Sequence, residues 1–135
     1  MVFGAGVPLT MFGLNLTHQA LALPGRVARF RNLGTQVGEF TAQLLEFFRT
    51  HHIERYGWQG APIHDACAVA FLIRPELFRT GMYAVDVEAN DGLAFGRTVC
   101  DYWRVTKKAA NCEVALEVDV EGFYDLLVER IGTYS

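Results

Sequence analysis

Residues 63–73 read Ile-His-Asp-Ala-Cys-Ala-Val-Ala-Phe-Leu-Ile. This stretch is helix-length, rich in alanine and apolar on every side after its first turn. A helix with no polar face is buried, so the chain must place packing layers around it. Arg74-Pro75 ends it, because the residue before a proline resists the α conformation. His64 and Asp65, both at the amino end, are its only polar pair. The composition can supply the layers: 51% of the 135 residues are hydrophobic, which argues for a packed core and against disorder. The length allows one domain, residues 1–135.

The other elements follow from periodicity and turn chemistry. Residues 7–16 are apolar nearly throughout, which predicts a strand covered on both faces, as in a parallel sheet. A short helical stretch over residues 17–23 is broken by Pro24-Gly25. Val37, Phe40, Thr41, Leu44, Phe47 and Phe48 recur at three and four residues. They predict a helix over residues 35–50 with that stripe buried. Residues 51–62 mix aromatic and polar side chains with glycine and read as an irregular loop or flap. Alternation at 83–88, the turn Asn90-Asp91-Gly92 and a second strand over 94–102 predict a hairpin. Residues 111–118 alternate again, with Cys112, Val114, Leu116 and Val118 on one face. A last helix over 119–131 takes Asp119 as its N-cap. The class is α/β, a strand-and-helix core with an attached hairpin.

Several functions are excluded. Twelve Lys and Arg against fifteen Asp and Glu give a net charge of −3, with no basic footprint for nucleic acid or anionic lipid. No apolar run approaches the roughly 18 residues of a membrane span, and the amino end lacks the pattern of a signal peptide. Three cysteines without C-x-x-C spacing are expected to be buried and reduced, which suggests the cytoplasm. There is no phosphate-binding glycine loop and no nucleophile elbow. His51-His52 has no third ligand at zinc spacing and is expected to be solvated. Asp86, Glu88 and Asp91 are expected to form a solvated edge.

His64-Asp65 is the principal candidate for chemistry. A carboxylate there gains from the helix dipole and free N–H groups, so Asp65 can be a simple cap. The aromatic flap leading into the pair favours a functional role, because function concentrates on such loops. His18 lies beyond the carboxyl end of the first strand, where α/β proteins place ligands. A backbone-bonding role for it at the turn is the expectation preferred here. Composition and spacing alone reach a ligand-binding α/β domain and no reaction.

Three segments carry a resemblance. Pro8-Leu9-Thr10-Met11-Phe12-Gly13-Leu14-Asn15-Leu16-Thr17-His18-Gln19, Gly60-Ala61-Pro62-Ile63-His64-Asp65-Ala66-Cys67-Ala68-Val69-Ala70 and Asn111-Cys112-Glu113-Val114-Ala115-Leu116-Glu117-Val118-Asp119-Val120 resemble the inosine-uridine-preferring nucleoside hydrolases in order and spacing. The resemblance covers essentially the whole chain, and its His-Asp block is the most specific part. It implies a Rossmann-like open sheet and hydrolysis of the N-glycosidic bond of ribonucleosides to ribose and base. It also implies a calcium ion held by several aspartates. Asp65 matches a residue binding both calcium and ribose, and His64 one associated with protonating the leaving base. Tyr56 and Trp58 fall in the variable flap, where aromatics can stack on a nucleobase.

The family's N-terminal Asp-Thr-Asp-x-Gly-x-Asp-Asp cluster does not occur in these 135 residues, nor does its ribose-gripping Asn/Glu segment. Asn15 stands where an aspartate is expected. The resemblance therefore implies a C-terminal portion, under half of a family member. One carboxylate cannot make a tight calcium site, so the chain is expected to be inactive alone. It would then be one half of a split enzyme or a shortened gene product, with a partner chain bringing the N-terminal half. The alternative is a non-catalytic module that binds nucleoside or ribose, or oligomerises. Missing flanking strands would expose an edge and apolar surface, and so predict a homo-oligomer, a dimer first.

Overall fold

A computed structural model describes residues 2–134; Met1 and Ser135 lie outside the described residues. Along the chain run β1 (Thr10–Met11), α1 (Leu14–Thr17), β2 (Leu21–Ala22), α2 (Pro24–Arg31), α3 (Gln36–Tyr56), β3 (Ala61–Pro62) and α4 (Asp65–Ile73). β4 (Phe78–Tyr83), β5 (Val85–Val87), β6 (Thr98–Cys100), β7 (Cys112–Val118) and α5 (Val120–Ile131) complete the order. The class is mixed α/β with open sheets, as expected.

β7 is the middle strand of the main sheet. β1 pairs with it in parallel, Thr10 opposite Glu113, and β4 pairs antiparallel, Tyr83 opposite Cys112. Register shifts between Arg79 and Thr80, whose partners are Glu117 and Ala115, so Leu116 is an extra residue on β7. A bulge of this kind reverses the alternation. Cys112 and Val114 face a small cluster with Val85, whereas Ala115 and Val118 join the main core. The single face expected for Cys112, Val114, Leu116 and Val118 is thereby split. The main core gathers Leu16, Val27, Phe30, Cys67, Phe123 and Tyr124. Asp119 caps α5 as predicted, its carboxylate accepting from the Gly122 amide at 3.1 Å.

The first strand is shorter than residues 7–16, because the chain turns into α1 directly after Gly13. Residues 21–22 pair as a strand rather than continuing a helix. Pro24 opens α2 instead of breaking a helix. In a first helical turn the missing N–H has no intrahelical acceptor to lose.

α3 begins as expected, with the Thr35 hydroxyl accepting from the Gly38 amide at 3.1 Å, but it runs on to Tyr56. Residues 51–56, expected in a flap, are its last turns, and Gly57 closes it in the left-handed conformation. The predicted stripe is not its buried side. Gly38, Ala42 and His52 face the fold, while Phe40, Leu44 and Phe47 are exposed. Close approach decides this: a Cβ on Gly38 would lie 2.5 Å from the Phe30 carbonyl oxygen. α2 therefore packs on the small residues and leaves the large ones outside.

α4 also departs from expectation. Cys67 and Ala70 point into the core, but Val69 is 56% and Leu72 83% exposed, and Ile73 is exposed as well. The described residues cover only one side of this apolar helix. The hairpin is present as β5 and β6, with Val85 opposite Cys100. Its second strand is only Thr98–Cys100, since the segment before it is taken up by turns. The three cysteines are free, Cys67 and Cys112 buried and Cys100 half-buried. Burial pushes the Cys67 thiol up to about 11. No helix among the described residues is long and apolar enough to cross a membrane.

Candidate functional site

β2 and β3 are two residues each, yet they decide where the candidate residues lie. Leu21 pairs with Pro62 and Ala22 with Ala61, and the Ile63 amide donates to the Ala20 carbonyl at 3.1 Å. The ladder draws the start of α4 against the turn that follows α1. Gly60 permits the approach: a Cβ there would sit 2.9 Å from the Ala22 carbonyl oxygen. His64 is the N-cap position of α4 and Asp65 its first helical residue. Asp65 is therefore not the cap, and no side-chain capping bond is made at this helix start. Its exposed carboxylate still benefits from the positive end of the helix dipole.

The result is a meeting of segments far apart in sequence. Thr17 Oγ1 and His64 Nδ1 are hydrogen-bonded at 2.9 Å. Thr17, His64 and Asp65 line one cavity of about 460 Å³ with Phe12, Leu14 and Ala68. A second, of about 360 Å³, is lined by His18, Leu21, Gly57, Trp58 and Gln59. His18 joins the two, its ring 5.9 Å from that of His64 and 4.8 Å from that of Trp58.

Trp58 heads an aromatic row built on α3. Its ring centroid is 5.5 Å from Tyr56 and 5.7 Å from His52, and His52 is 4.4 Å from Phe48. Spacing of four residues puts Phe48, His52 and Tyr56 on one helix face. The expectation that His51 and His52 are solvated holds for His51 only. His52 is buried and its Nδ1–H donates to the Phe48 carbonyl at 3.0 Å.

Burial holds the His64 imidazole below its ordinary range, and the ring of His18 pushes the same way. The Asp65 carboxylate opposes this, and His52 adds a further lowering. At neutral pH His64 is thus an uncharged ring, able to be donor at one nitrogen and acceptor at the other.

Of the four residues singled out in the sequence, His64 and Asp65 share a cavity, and Tyr56 and Trp58 share an aromatic wall. The structure links the pairs through His18, whose expected role was backbone bonding. Thr17 is the residue that sequence reasoning missed, while His18 and His52 were weighed and given backbone-bonding and solvated roles. The position of Thr17-His18 beyond the carboxyl end of β1 was the available signal.

Calcium takes six to eight oxygen ligands. Around Asp65 the cavity offers the Thr17 hydroxyl, an imidazole and otherwise apolar side chains. No group of three or more His, Cys, Asp or Glu able to hold a metal occurs among the described residues. This donor set does not fit a calcium ion.

Similarity to known proteins bears on the site. The profile of the family described as "Inosine-uridine preferring nucleoside hydrolase" matches residues 1–125. The pyrimidine-specific ribonucleoside hydrolase RihA of Klebsiella pneumoniae is 43% identical over 136 aligned positions, covering 100% of this chain and 44% of the relative. RihA of Enterobacter sp. is 41% identical over the same shares. Among solved structures, the purine-preferring ribonucleoside hydrolase of Gardnerella vaginalis superposes with a TM-score of 0.81 at 31% identity, covering 98% of this chain and 42% of its own. A plant nucleoside hydrolase gives 0.82 at 25% identity, with 97% and 43% covered. The chain spans less than half the length of these relatives, and over nearly all of its own length it belongs to the inosine-uridine preferring nucleoside hydrolase family.

Proposed function

We propose that this chain is the C-terminal part of a nucleoside N-ribohydrolase, which cleaves the bond between ribose and base and adds water to the sugar. In this reading His64 is the group that serves the departing base as a hydrogen donor. Asp65 grips the ribose hydroxyls, and Tyr56 and Trp58 form the wall against which the base stacks. The observation that carries the reading is the shared cavity of His64 and Asp65, with the aromatic row one histidine away. The remaining acidic groups come from elsewhere, since the donors around Asp65 are too few for the family's metal. The free thiols of Cys67, Cys100 and Cys112 support a cytoplasmic setting.

The partner is a polypeptide carrying the N-terminal half of the same fold. Two surfaces are open to receive it. Among the described residues β1 has a neighbour on one side only, and the outer face of α4 carries Val69, Leu72 and Ile73 exposed. Known structures superpose on this chain over less than half their length, which supports further parts of the family fold as the cover for these surfaces.

The test is ribose release from inosine and uridine with calcium present. The purified chain alone should give no turnover. Mixing it with the N-terminal half of the Klebsiella relative should restore activity that His64→Gln abolishes. Robust turnover by the chain alone would overturn the need for a partner. The open faces also support a second reading, a non-catalytic module that self-associates. Saturable nucleoside binding by a stable dimer, with no turnover on mixing, would favour it over the first.

A further inference from the structure

Thr17 closes α1 with its side chain turned inward, only 2% exposed. Its hydroxyl has one hydrogen-bond partner among the described residues, Nδ1 of His64 at 2.9 Å. A hydroxyl carries a single hydrogen, and a buried donor left without an acceptor is costly. Nδ1 is the acceptor at hand. If Nδ1 carried the hydrogen instead, the hydroxyl hydrogen would be left without a described partner.

We infer that Thr17 is a positioning residue that holds the His64 imidazole as its Nε2–H tautomer, so that the ring offers the base a donor rather than a lone pair. A departing base presents acceptor atoms, and a ring in the opposite tautomer would meet them with like polarity. The other contacts on the ring are compatible with this assignment. His18 approaches it through an edge-on ring contact at 5.9 Å. Asp65 is the next residue along the chain, on the exposed start of α4.

The functional meaning rests on His64 serving the base. The tautomer itself can be read in this chain without substrate. Long-range nitrogen–proton correlation spectra, with His64 assigned by its loss in His64→Gln, should show hydrogen on Nε2 and none on Nδ1 near pH 8. Thr17→Val should move the tautomer ratio by about tenfold toward Nδ1–H, the scale of one ordinary hydrogen bond. Thr17→Ser should restore it. A wild-type ring with its hydrogen on Nδ1 would overturn the inference whether or not the variants fold. So would an unchanged ratio in a folded Thr17→Val. If the spectra behave as expected but mixing with the N-terminal half yields no ribose, the catalytic reading fails and the tautomer assignment stands.

Discussion

The amide of Ile63 donates to the carbonyl of Ala20 at 3.1 Å, and this contact holds the start of α4 beside the turn that carries Thr17. The four paired residues of β2 and β3 stand behind it. The candidate site therefore depends on a very short ladder with little tolerance for added volume.

Gly60→Ala tests that tolerance. Its Cβ would meet the Ala22 carbonyl oxygen at 2.9 Å and carbon at 3.1 Å, both backbone atoms that cannot swing away. The variant should lose about 1–3 kcal/mol, as overpacked sites do, read as a lower urea midpoint. The Thr17–His64 bond should weaken with it, seen as a shift of the His64 ring signals.

His64 makes stability depend on pH. In the unfolded chain it protonates near its ordinary value of 6.5, and in the folded chain only at lower pH. Between those points the unfolded state binds more protons, so its share of stability falls as pH drops through 6.5 and levels off below the folded value. Urea midpoints from pH 8 to 5 should fall more steeply for the wild type than for His64→Gln. Parallel curves would show that burial and the neighbouring His18, His52 and Asp65 leave the ring unperturbed.

The outer side of α4 should tolerate charge. Leu72 is 83% exposed, so Leu72→Lys should change the stability of this chain by no more than about 0.5 kcal/mol. The same substitution should abolish association with an N-terminal half. By contrast Ala70, 2% exposed on the inner side, should not accept leucine without a loss of about 1–3 kcal/mol.

Removing the α5 cap has a smaller and more local effect. Asp119→Ala deletes the acceptor of the Gly122 amide and should cost about 1 kcal/mol. Asp119→Asn, which keeps an acceptor, should recover most of it in the same thermal or urea unfolding series.

What was legible in the sequence was local. Asp119 announces α5 because a cap and an apolar stripe are written within one turn of each other. Arg74-Pro75 marks the end of α4 in the same local way. The misplaced features depend on contacts across the fold. Which side of α3 is buried is decided by how closely Gly38 lets the Phe30 carbonyl approach, and hydrophobic spacing pointed to a neighbouring side. The bulge at Leu116 is visible only once β4 is laid against β7. His64 and Asp65 stood out as polar groups on an apolar helix. Thr17 did not, because its place after a short strand marks a position and not a role, which appears only when its hydroxyl meets an imidazole 47 residues away.

The parallel pairing of Thr10 with Glu113 has a consequence for synthesis. β1 leaves the ribosome about a hundred residues ahead of β7, its sheet partner among the described residues. Until then β1 lacks that partner, although the β2–β3 ladder can already bring Thr17 beside His64. Contacts of such long sequence separation slow folding. The candidate site and the main sheet are therefore closed by pairings of very different reach in sequence, Leu21 with Pro62 for the one and Thr10 with Glu113 for the other.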